Sequence, residues 1–269
     1  MTDQSIAVTP AGGRPPQTTP VPDAGYVVSE AAFQNALHRP GIFQAWKGTL
    51  TGGVSLVEAT QNRHNITTNV ALVRAIPTEN WLEPRNRTII DFSSSTGKLT
   101  QPNTPTIKTS IYHADAERDE YFTPRVYAFG QLAYDHSFSQ GLDLQQTYGG
   151  GIGFALINTS NATLDLKGNF DYIRQSFQVA SENQNLIAAS VAERYIRSMA
   201  HGIVLNQRLL FTAALNNTSA YSALATAGVT TPVYTRLNFS AILTDALLNN
   251  PPAGFKKNSS QFTTGVTYT

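Results

Sequence analysis

The chain has 269 residues, a formal net charge of +1 and only 14% charged residues, against about 25% in a typical soluble domain. The near-neutral balance excludes a basic surface for nucleic acid, and the absence of cysteine excludes disulfides, thiolate metal ligands and thiol nucleophiles. No stretch of about twenty apolar residues occurs, so a membrane could be crossed only by strands.

Residues 1–42 are predicted to form a leader outside the main domain. Five prolines and several Gly and Thr residues fall in positions 1–25, a composition typical of disordered or extended chain. A short helix is predicted to begin after Ser29, which would cap it, and to end before Pro40. The first four residues show neither the basic nor the apolar region of an export signal, although an exported barrel needs one.

The domain predicted at 43–269 is dominated by apolar and polar residues that alternate with a period of two. The alternation is clearest in 142–156, where apolar residues hold the even positions, and in 164–172, after a predicted turn at 158–161. Arms of about ten residues or more can cross the roughly 25 Å apolar band of an outer membrane, whereas soluble strands average about five or six. This pair predicts a membrane-crossing hairpin that is charged on one face.

Further segments show the same alternation less clearly. They are 46–57, 64–75, 87–95, 105–113, 123–135, 185–196, 202–212, 219–229, 232–244 and 260–268. With the hairpin they give about twelve strands, an even number, as a single-chain bacterial barrel requires. The predicted fold is all-β, one closed antiparallel up-and-down transmembrane β-barrel. Aromatic residues near the predicted strand ends, such as Trp46, Tyr148 and Tyr268, fit interfacial girdles, although aromatic residues also favour strands in general.

If the apolar faces contact lipid, the polar faces must line the lumen, because a charge facing lipid at mid-bilayer would cost about 2–4 kcal/mol. The residues predicted to face the lumen are Asp91, Arg125, Gln131, Asp143, Gln145, Asp165, Lys167, Asp171 and Arg236. Both signs of charge occur, so the lumen is predicted to be neither a plain cation filter nor a plain anion filter. A selective channel and a barrel closed by mutual charge pairing remain alternatives.

The densest charge cluster is Glu117, Arg118, Asp119 and Glu120, which falls between two predicted strands. It is predicted to be a solvated turn in which Arg118 pairs with a nearby carboxylate, an interaction worth about 0–1 kcal/mol at a surface. The alternative is a cation site or a gate at a pore mouth.

No motif predicts catalysis, a metal site or a cofactor. The five histidines lack the spacings of metal-binding helices, and the neighbours Asp135, His136 and Ser137 would point to alternate faces of a strand and could not form a relay. A lipid-cleaving barrel would need a Ser–His pair on neighbouring strands, facing lipid. Ser110 and His113 are conceivable members, but nothing in the sequence singles them out. The chain is therefore predicted not to be an enzyme.

Glycines 149, 151 and 153 are predicted to lie on the inner face of one strand. Phosphate-binding glycine loops open a helix, whereas this pattern continues as strand. Glycine at these positions would let the wall bend, or let another group approach the backbone closely.

Several short motifs together resemble a known family. They are Trp46-Lys47-Gly48, Gly52-Gly53, Ala116-Glu117-Arg118-Asp119-Glu120-Tyr121, Arg125-Val126-Tyr127-Ala128-Phe129-Gly130, Gln140-Gly141-Leu142-Asp143, Tyr148-Gly149-Gly150-Gly151-Ile152-Gly153, Leu164-Asp165-Leu166-Lys167-Gly168 and Ala192-Glu193-Arg194-Tyr195. The chain resembles the salt-induced outer membrane protein family (YdiY-like), a domain family of unknown function. The resemblance covers most of 46–269 and is sharpest in 112–195. It implies an outer-membrane barrel without established catalytic residues.

The expected function is that of an integral bacterial outer-membrane protein, with membrane lipid as its partner and small solutes as cargo if the lumen is open. A small-solute channel is one expectation, and an envelope protein that responds to osmotic stress, as the family name implies, is another. The alternatives are a non-conducting structural or adhesion barrel and a soluble β-barrel that binds an apolar ligand, in which the alternation would be inverted. Neither nucleic acid nor a particular oligomeric state is predicted.

Overall fold

A computed structural model of the chain describes residues 5–8, 15, 17–20, 28–37, 40–57, 62–79, 82–100 and 107–268. Ahead of the barrel, strands β1 (Ser5–Val8) and β2 (Gln17–Pro20) pair antiparallel, and helix α1 spans Glu30–Leu37. The Ser29 hydroxyl accepts the backbone N–H of Ala32 at 3.2 Å, which confirms the predicted N-cap. Most of the proline-rich region predicted to be disordered or extended lies outside the described residues. No described helix is long and apolar enough to cross a membrane.

Twelve strands follow and close into one antiparallel barrel, as predicted. They are β3 (Trp46–Val57), β4 (Asn62–Ile76), β5 (Asn86–Thr100), β6 (Ile107–Tyr121), β7 (Val126–Ser137), β8 (Leu142–Asn158), β9 (Ala162–Phe177), β10 (Gln184–Ser198), β11 (Val204–Ala214), β12 (Tyr221–Tyr234), β13 (Leu237–Leu248) and β14 (Asn258–Tyr268). Each strand pairs with its neighbours in the chain, and β14 returns to β3. The strands have 11 to 17 residues, far more than the about five or six of typical soluble sheets.

The alternation gives most strands a largely apolar outer face and a largely polar inner face. On β9, Asp171 is 4% exposed whereas Phe170 beside it is 69% exposed. Exposed apolar side chains at outer positions of the other strands include Leu50, Phe92, Leu132, Ile152, Val191, Phe211, Leu243 and Phe262. This is the reverse of the arrangement that the alternative, a soluble barrel with an apolar ligand, requires.

The two ends of the barrel are named here by the strand ends that lie at them. We call the end at which β3 begins and β14 ends the terminal rim, and the other end the opposite rim. At the terminal rim, Arg74 donates to the carbonyl oxygens of Pro40 at 2.9 Å, Gly41 at 3.2 Å and Gln44 at 3.0 Å. These bonds hold the segment that leads into β3 against the barrel wall.

The barrel closes along a short seam between β14 and β3. Among the residues that the structure describes, the three of Val266–Tyr268 are paired there with Leu50–Gly52. The hydroxyls of Thr51 and Thr267 lie 2.7 Å apart inside the seam. The seam therefore adds a buried side-chain hydrogen bond to a short backbone ladder.

Strand β6 differs most from its predicted bounds of 105–113. It continues to Tyr121, so the charge cluster at 117–120 lies on a strand, and the prediction of a solvated turn is wrong. Because side chains alternate along a strand, Glu117 and Asp119 point into the barrel and are buried, whereas Arg118 and Glu120 point outward. Arg118 does pair with Glu120, at 2.7 Å, on this exposed outer surface.

Candidate functional site

Charged side chains line the inner faces of β5 to β11. Six of the residues predicted to face the lumen lie on these inner faces: Asp91, Gln131, Gln145, Asp165, Lys167 and Asp171. Several of them bond to strands that are not their neighbours in the sheet. Such bonds can only pass through the interior of a closed barrel, so these residues cross the lumen as well as line it.

The bridge nearest the terminal rim is centred on Arg87. Its Nε donates to Asp119 at 2.6 Å on the adjacent β6, and one terminal nitrogen donates to Asp165 at 2.9 Å on β9. The guanidinium carbon also lies 5.3 Å from the ring centroid of Tyr127 and 5.9 Å from that of Tyr121. Arginine suits this position because its planar guanidinium group can donate to two carboxylates while its face stacks on aromatic rings.

A second ion pair lies one step further into the lumen. The Lys167 ammonium on β9 donates to both carboxylate oxygens of Glu117 on β6. It also lies 5.2 Å from the ring centroid of Phe129. Glu117 is 7% exposed, so an unpaired charge there would be costly. Together the two bridges join β5, β6 and β9 across the same part of the lumen.

Further from the terminal rim, His113 bridges two carboxylates. Its Nε2 lies 2.7 Å from Asp115 and its Nδ1 lies 2.6 Å from Asp135. Both hydrogen bonds can form together only when both ring nitrogens carry protons. Arg208 on β11 approaches the same Asp115 at 3.5 Å from the far side of the lumen. Asp91, directly opposite Asp115 on β5, adds another carboxylate to this group.

Asp171 has only neutral donors among its hydrogen-bond partners. It accepts hydrogen bonds from Gln131 at 3.1 Å, Asn169 at 2.6 Å and Ser190 at 2.5 Å. A Cβ on Gly149, which lies opposite on β8, would overlap this carboxylate. The expectation of a close approach to the inner-face glycines is therefore met by the barrel's own side chains.

The facing wall of the lumen carries hydroxyl groups. A chain of inner-face hydroxyls runs from Thr51 on β3 to Thr267 on β14, then to Ser240 on β13 and Thr230 on β12. Charge is thus concentrated on β5 to β11, and small hydroxyl groups line the closing strands.

The opposite rim is closed by a second structure, which we call the mouth latch. The connection between β7 and β8 (Phe138–Gly141) turns inward, and the Gln140 amide donates to the carbonyl oxygens of Ala246 at 3.2 Å and Lys257 at 3.0 Å. Both acceptors lie near the β13–β14 connection, across the barrel from β7. The Phe255 ring packs so closely on Gly141 that no Cβ would fit. Beneath the latch, Leu142, Phe177 and Leu248 form a buried apolar cluster.

Two residues predicted to face the lumen lie in turns instead. Arg125 is exposed in the turn between β6 and β7, where the Thr123 hydroxyl accepts its backbone N–H at 3.3 Å. Arg236 is exposed in the turn between β12 and β13, with φ at +65°, and its guanidinium lies 3.4 Å from the Tyr268 hydroxyl on the outer surface. Both predictions are wrong because the neighbouring strands end at other residues than predicted.

Asp143 is the third residue that does not face the lumen. Asp135 pairs with Gln145 and Ser137 with Leu142, so β8 carries one residue more than β7 between these pairs. This is a β-bulge, in which the extra residue leaves the regular alternation. Asp143 is exposed as a result, and the prediction from simple parity is wrong.

Arg87, the centre of the bridge nearest the terminal rim, was not among the predicted residues. Arg87 shares the parity of Asp91 within one predicted strand, which was a usable signal for an inward side chain. The inward direction of Glu117 and Asp119 was hidden by the assumption of a turn. No feature of the sequence indicated the role of Gln140, because this role depends on contacts with residues that are distant in the chain. Among the described residues, no group of three or more His, Cys, Asp or Glu side chains could hold a metal ion.

Comparison with solved structures finds barrels of related shape. The translocator domain of the autotransporter NalP from Neisseria meningitidis has a TM-score of 0.43 at 15% identity, covering 83% of this chain and 87% of that one. The β-domain of the Bordetella autotransporter BrkA has a TM-score of 0.39 at 12% identity, covering 83% and 98%. The KdgM porin, solved with disordered oligogalacturonate, has a TM-score of 0.42 at 7% identity, covering 83% and 99%. At these values nothing about the function of this chain follows from them.

Comparison with curated proteins finds no match. Comparison with family models matches residues 52–269, which include nearly the whole barrel, to the model described as "Protein of unknown function, DUF481". An unknown-function family was expected from the sequence motifs, and that expectation is confirmed. The chain belongs to the DUF481 family of proteins of unknown function.

Proposed function

We propose that the protein is an integral barrel of the bacterial outer membrane and acts as a small-solute channel whose lumen is closed at rest. The location is supported by the outer face, where exposed apolar side chains such as Phe170, Phe262 and Val191 surround the wall. Soluble proteins rarely expose so continuous an apolar surface. Closure of the sheet gives every barrel strand a neighbour on both sides, which is what a β-structure needs in order to cross lipid.

The observation that carries the channel proposal is the set of bonds across a polar lumen. Arg87 and Lys167 each reach from one wall to another, and the described lumen contains charged, amide and hydroxyl groups over much of its height. In the described residues the closure consists of side chains and one short connection. Side chains can change rotamer without unfolding the wall, so this closure is reversible in principle.

Planar-bilayer recording tests the proposal. We expect the wild-type barrel to give rare, small current steps, because both the ion pairs and the mouth latch must part. Replacing both luminal bridges, Arg87→Ala with Lys167→Ala, removes the side chains that span the lumen and should give larger and more frequent steps. Arg118→Ala removes an exposed cation from the outer surface and should leave the current unchanged.

A non-conducting structural or adhesion barrel is the second candidate, and the mouth latch favours it. Two closures in series, one of ion pairs and one of buried apolar side chains under Gln140, suit a barrel that never opens. If neither the wild-type protein nor the double variant passes current at any voltage, the channel proposal fails and the structural barrel takes its place. In both cases we assign no catalytic role to the luminal side chains.

The osmotic-stress role is a proposal that rests on the family resemblance. A strain lacking the protein should then grow more slowly than its parent at raised external salt and equally well at low salt. Complementation by the wild-type chain should restore growth. Equal growth of both strains at every salt concentration would contradict this role.

A further inference from the structure

A serine and a histidine are hydrogen-bonded on the outer face of the barrel, away from the luminal site. Ser110 Oγ on β6 lies 2.8 Å from His136 Nε2 on the adjacent β7. Both residues hold even positions, whereas the inward residues of these strands, such as Asp115 and Asp135, hold odd ones. The pair therefore faces outward. His113, the partner suggested by the sequence, points into the lumen instead.

The hydrogen bond of the second ring nitrogen of His136 determines which atoms of the pair carry a proton. His136 Nδ1 lies 2.7 Å from the backbone carbonyl oxygen of Asp143. A carbonyl can only accept, so Nδ1 must carry a proton, and in the neutral ring Nε2 is left as the acceptor. The Ser110 hydroxyl then donates to Nε2. A serine next to a histidine base that a third group orients is the arrangement of an activated nucleophile.

The β-bulge of β8 explains why this carbonyl is free. Asp143 is the extra residue between the pairs Asp135–Gln145 and Ser137–Leu142. The extra residue of a bulge has no partner in the strand ladder. Its carbonyl can therefore accept from His136, and the irregularity holds the ring in place.

The pair also lies at a suitable depth. Ser110 is the fourth residue of β6, so it lies about 10 Å along the strand from its first residue, at about 3.3 Å per residue. Tyr112 and Tyr134 lie on the same outer face, 40% and 38% exposed. Exposed aromatic rings of outer-membrane barrels lie at the level of the lipid headgroups. The acyl esters of membrane lipids lie at that boundary.

We propose that Ser110 and His136 form a catalytic dyad that hydrolyses acyl esters of membrane glycerophospholipids. Ser110 Oγ bonds to the acyl carbonyl carbon while its proton passes to His136 Nε2. The ester C–O bond breaks, and the leaving glycerol oxygen takes that proton, which releases a lysolipid. Water then attacks the acyl-serine and gives a proton through His136 to Ser110 Oγ. The fatty acid leaves and the serine is restored.

Thr96 is assigned the hydrogen bond to the developing oxyanion. It lies directly opposite Ser110 on β5 and on the same outer face, where cross-strand Cβ atoms are about 4.5–5.5 Å apart. Removing one such donor typically lowers the rate by about a hundredfold or more. Thr96→Val should therefore slow lipid cleavage while the Ser110–His136 hydrogen bond remains. An unchanged rate would overturn the assignment of Thr96.

The test uses the full chain, refolded into vesicles of phosphatidylethanolamine and phosphatidylglycerol. A fluorophosphonate probe followed by peptide mass spectrometry should find the adduct on Ser110. Free fatty acid should appear from ester-linked lipid and not from ether-linked lipid. Ser110→Ala should abolish both signals, and His136→Gln, which cannot serve as the base, should lower both by about a hundredfold or more.

Ser94→Ala is the matched control, because Ser94 also lies on the outer face, opposite Tyr112. It should retain both signals, and heat-dependent gel mobility should show that every variant is a folded barrel. Absence of the adduct, or equal release by the wild type and Ser110→Ala, would overturn the proposal. An adduct without release would overturn the lipid ester as substrate. The outcome is independent of conductance, because the dyad and the luminal bridges lie on opposite faces of the wall.

Discussion

Two arginines near the same rim show how much the environment of an ion pair determines its value. The Arg87 side chain is 21% exposed and its partner Asp119 is fully buried, whereas Arg118 and Glu120 are 44% and 58% exposed. A charge left behind in a buried site keeps its desolvation cost, while an exposed charge is hydrated by water and screened by salt. The two pairs should therefore respond very differently to the loss of the arginine.

Arg87→Ala should lower the free energy of unfolding by about 3 kcal/mol, because two luminal carboxylates lose their shared cation. Arg118→Ala is the control and should cost no more than about 1 kcal/mol. Urea unfolding of the refolded barrel in detergent micelles, followed by circular dichroism, measures both. Equal midpoints for the two variants would contradict the difference in burial.

Glycine at position 153 is required by an aromatic ring. A Cβ there would overlap the ring of Tyr127, which is fully buried in the lumen on the paired strand. Overpacking of this kind costs about 1–3 kcal/mol, so Gly153→Ala should destabilise the barrel by that amount in the same urea assay. Gly168→Ala adds its methyl group to open space on the outer face. A loss of stability equal to that of Gly153→Ala would contradict the role of Tyr127.

The inward direction of Asp165, Lys167 and Asp171 could be predicted, because a period of two assigns the face of every residue in a regular strand. Their partners could not. The bond from Arg87 to Asp165 joins strands that are far apart in the sequence and not adjacent in the sheet. Neither alternation nor composition carries information about which inward residues meet across a lumen.

At the scale of the element, the number of strands was predictable and their ends were not. Strand β6 was predicted to end near residue 113 because acidic and basic residues in succession are typical of a turn. It continues to Tyr121 because Glu117 and Asp119 find cations inside the barrel. The bulge at Asp143 is equally invisible in the sequence, since one inserted residue reverses the parity beyond it without changing the composition.

The contribution of the β7–β8 connection to the mouth latch can be tested by substitution. Gln140→Ala removes both side-chain bonds to the β13–β14 region, at Ala246 and Lys257. Each such bond contributes about 1 kcal/mol, so the loss of both should make the backbone amides of this region exchange with deuterium up to about thirtyfold faster. Those of the terminal rim should not change. Gln178→Ala, an exposed glutamine on the neighbouring connection, should have no effect. Unchanged exchange in Gln140→Ala would show that the apolar cluster alone closes the mouth.

At the scale of the whole molecule, the lining of the lumen varies both around the circumference and along the barrel axis. Around the circumference, a charged wall on β5 to β11 faces a wall of hydroxyls. Along the axis, ion pairs lie toward the terminal rim and apolar side chains lie under the mouth latch. A solute in the lumen would therefore contact charged groups on one side and hydroxyl groups on the other. Polar groups on both sides favour small polar solutes over apolar ones.

The charged wall also predicts the selectivity of any current. The described inner faces of β5 to β11 carry seven carboxylates, namely Asp91, Asp115, Glu117, Asp119, Asp135, Asp165 and Asp171, against four permanent cations, namely Arg87, Lys167, Arg194 and Arg208. A surplus of carboxylates in a narrow lumen attracts cations. Reversal potentials in a KCl gradient should therefore favour K⁺ over Cl⁻.

The preference should be strongest in the Arg87→Ala/Lys167→Ala barrel, which keeps all seven carboxylates, and weakest after Asp91→Asn with Asp135→Asn. It should also decrease at high salt, since the Debye length falls from about 10 Å at 0.1 M to about 3 Å at 1 M. The double asparagine variant serves as the control for pore size, because it changes charge with little change in volume. An anion preference, or a reversal potential of zero in all three barrels, would mean that ions do not pass along the charged wall.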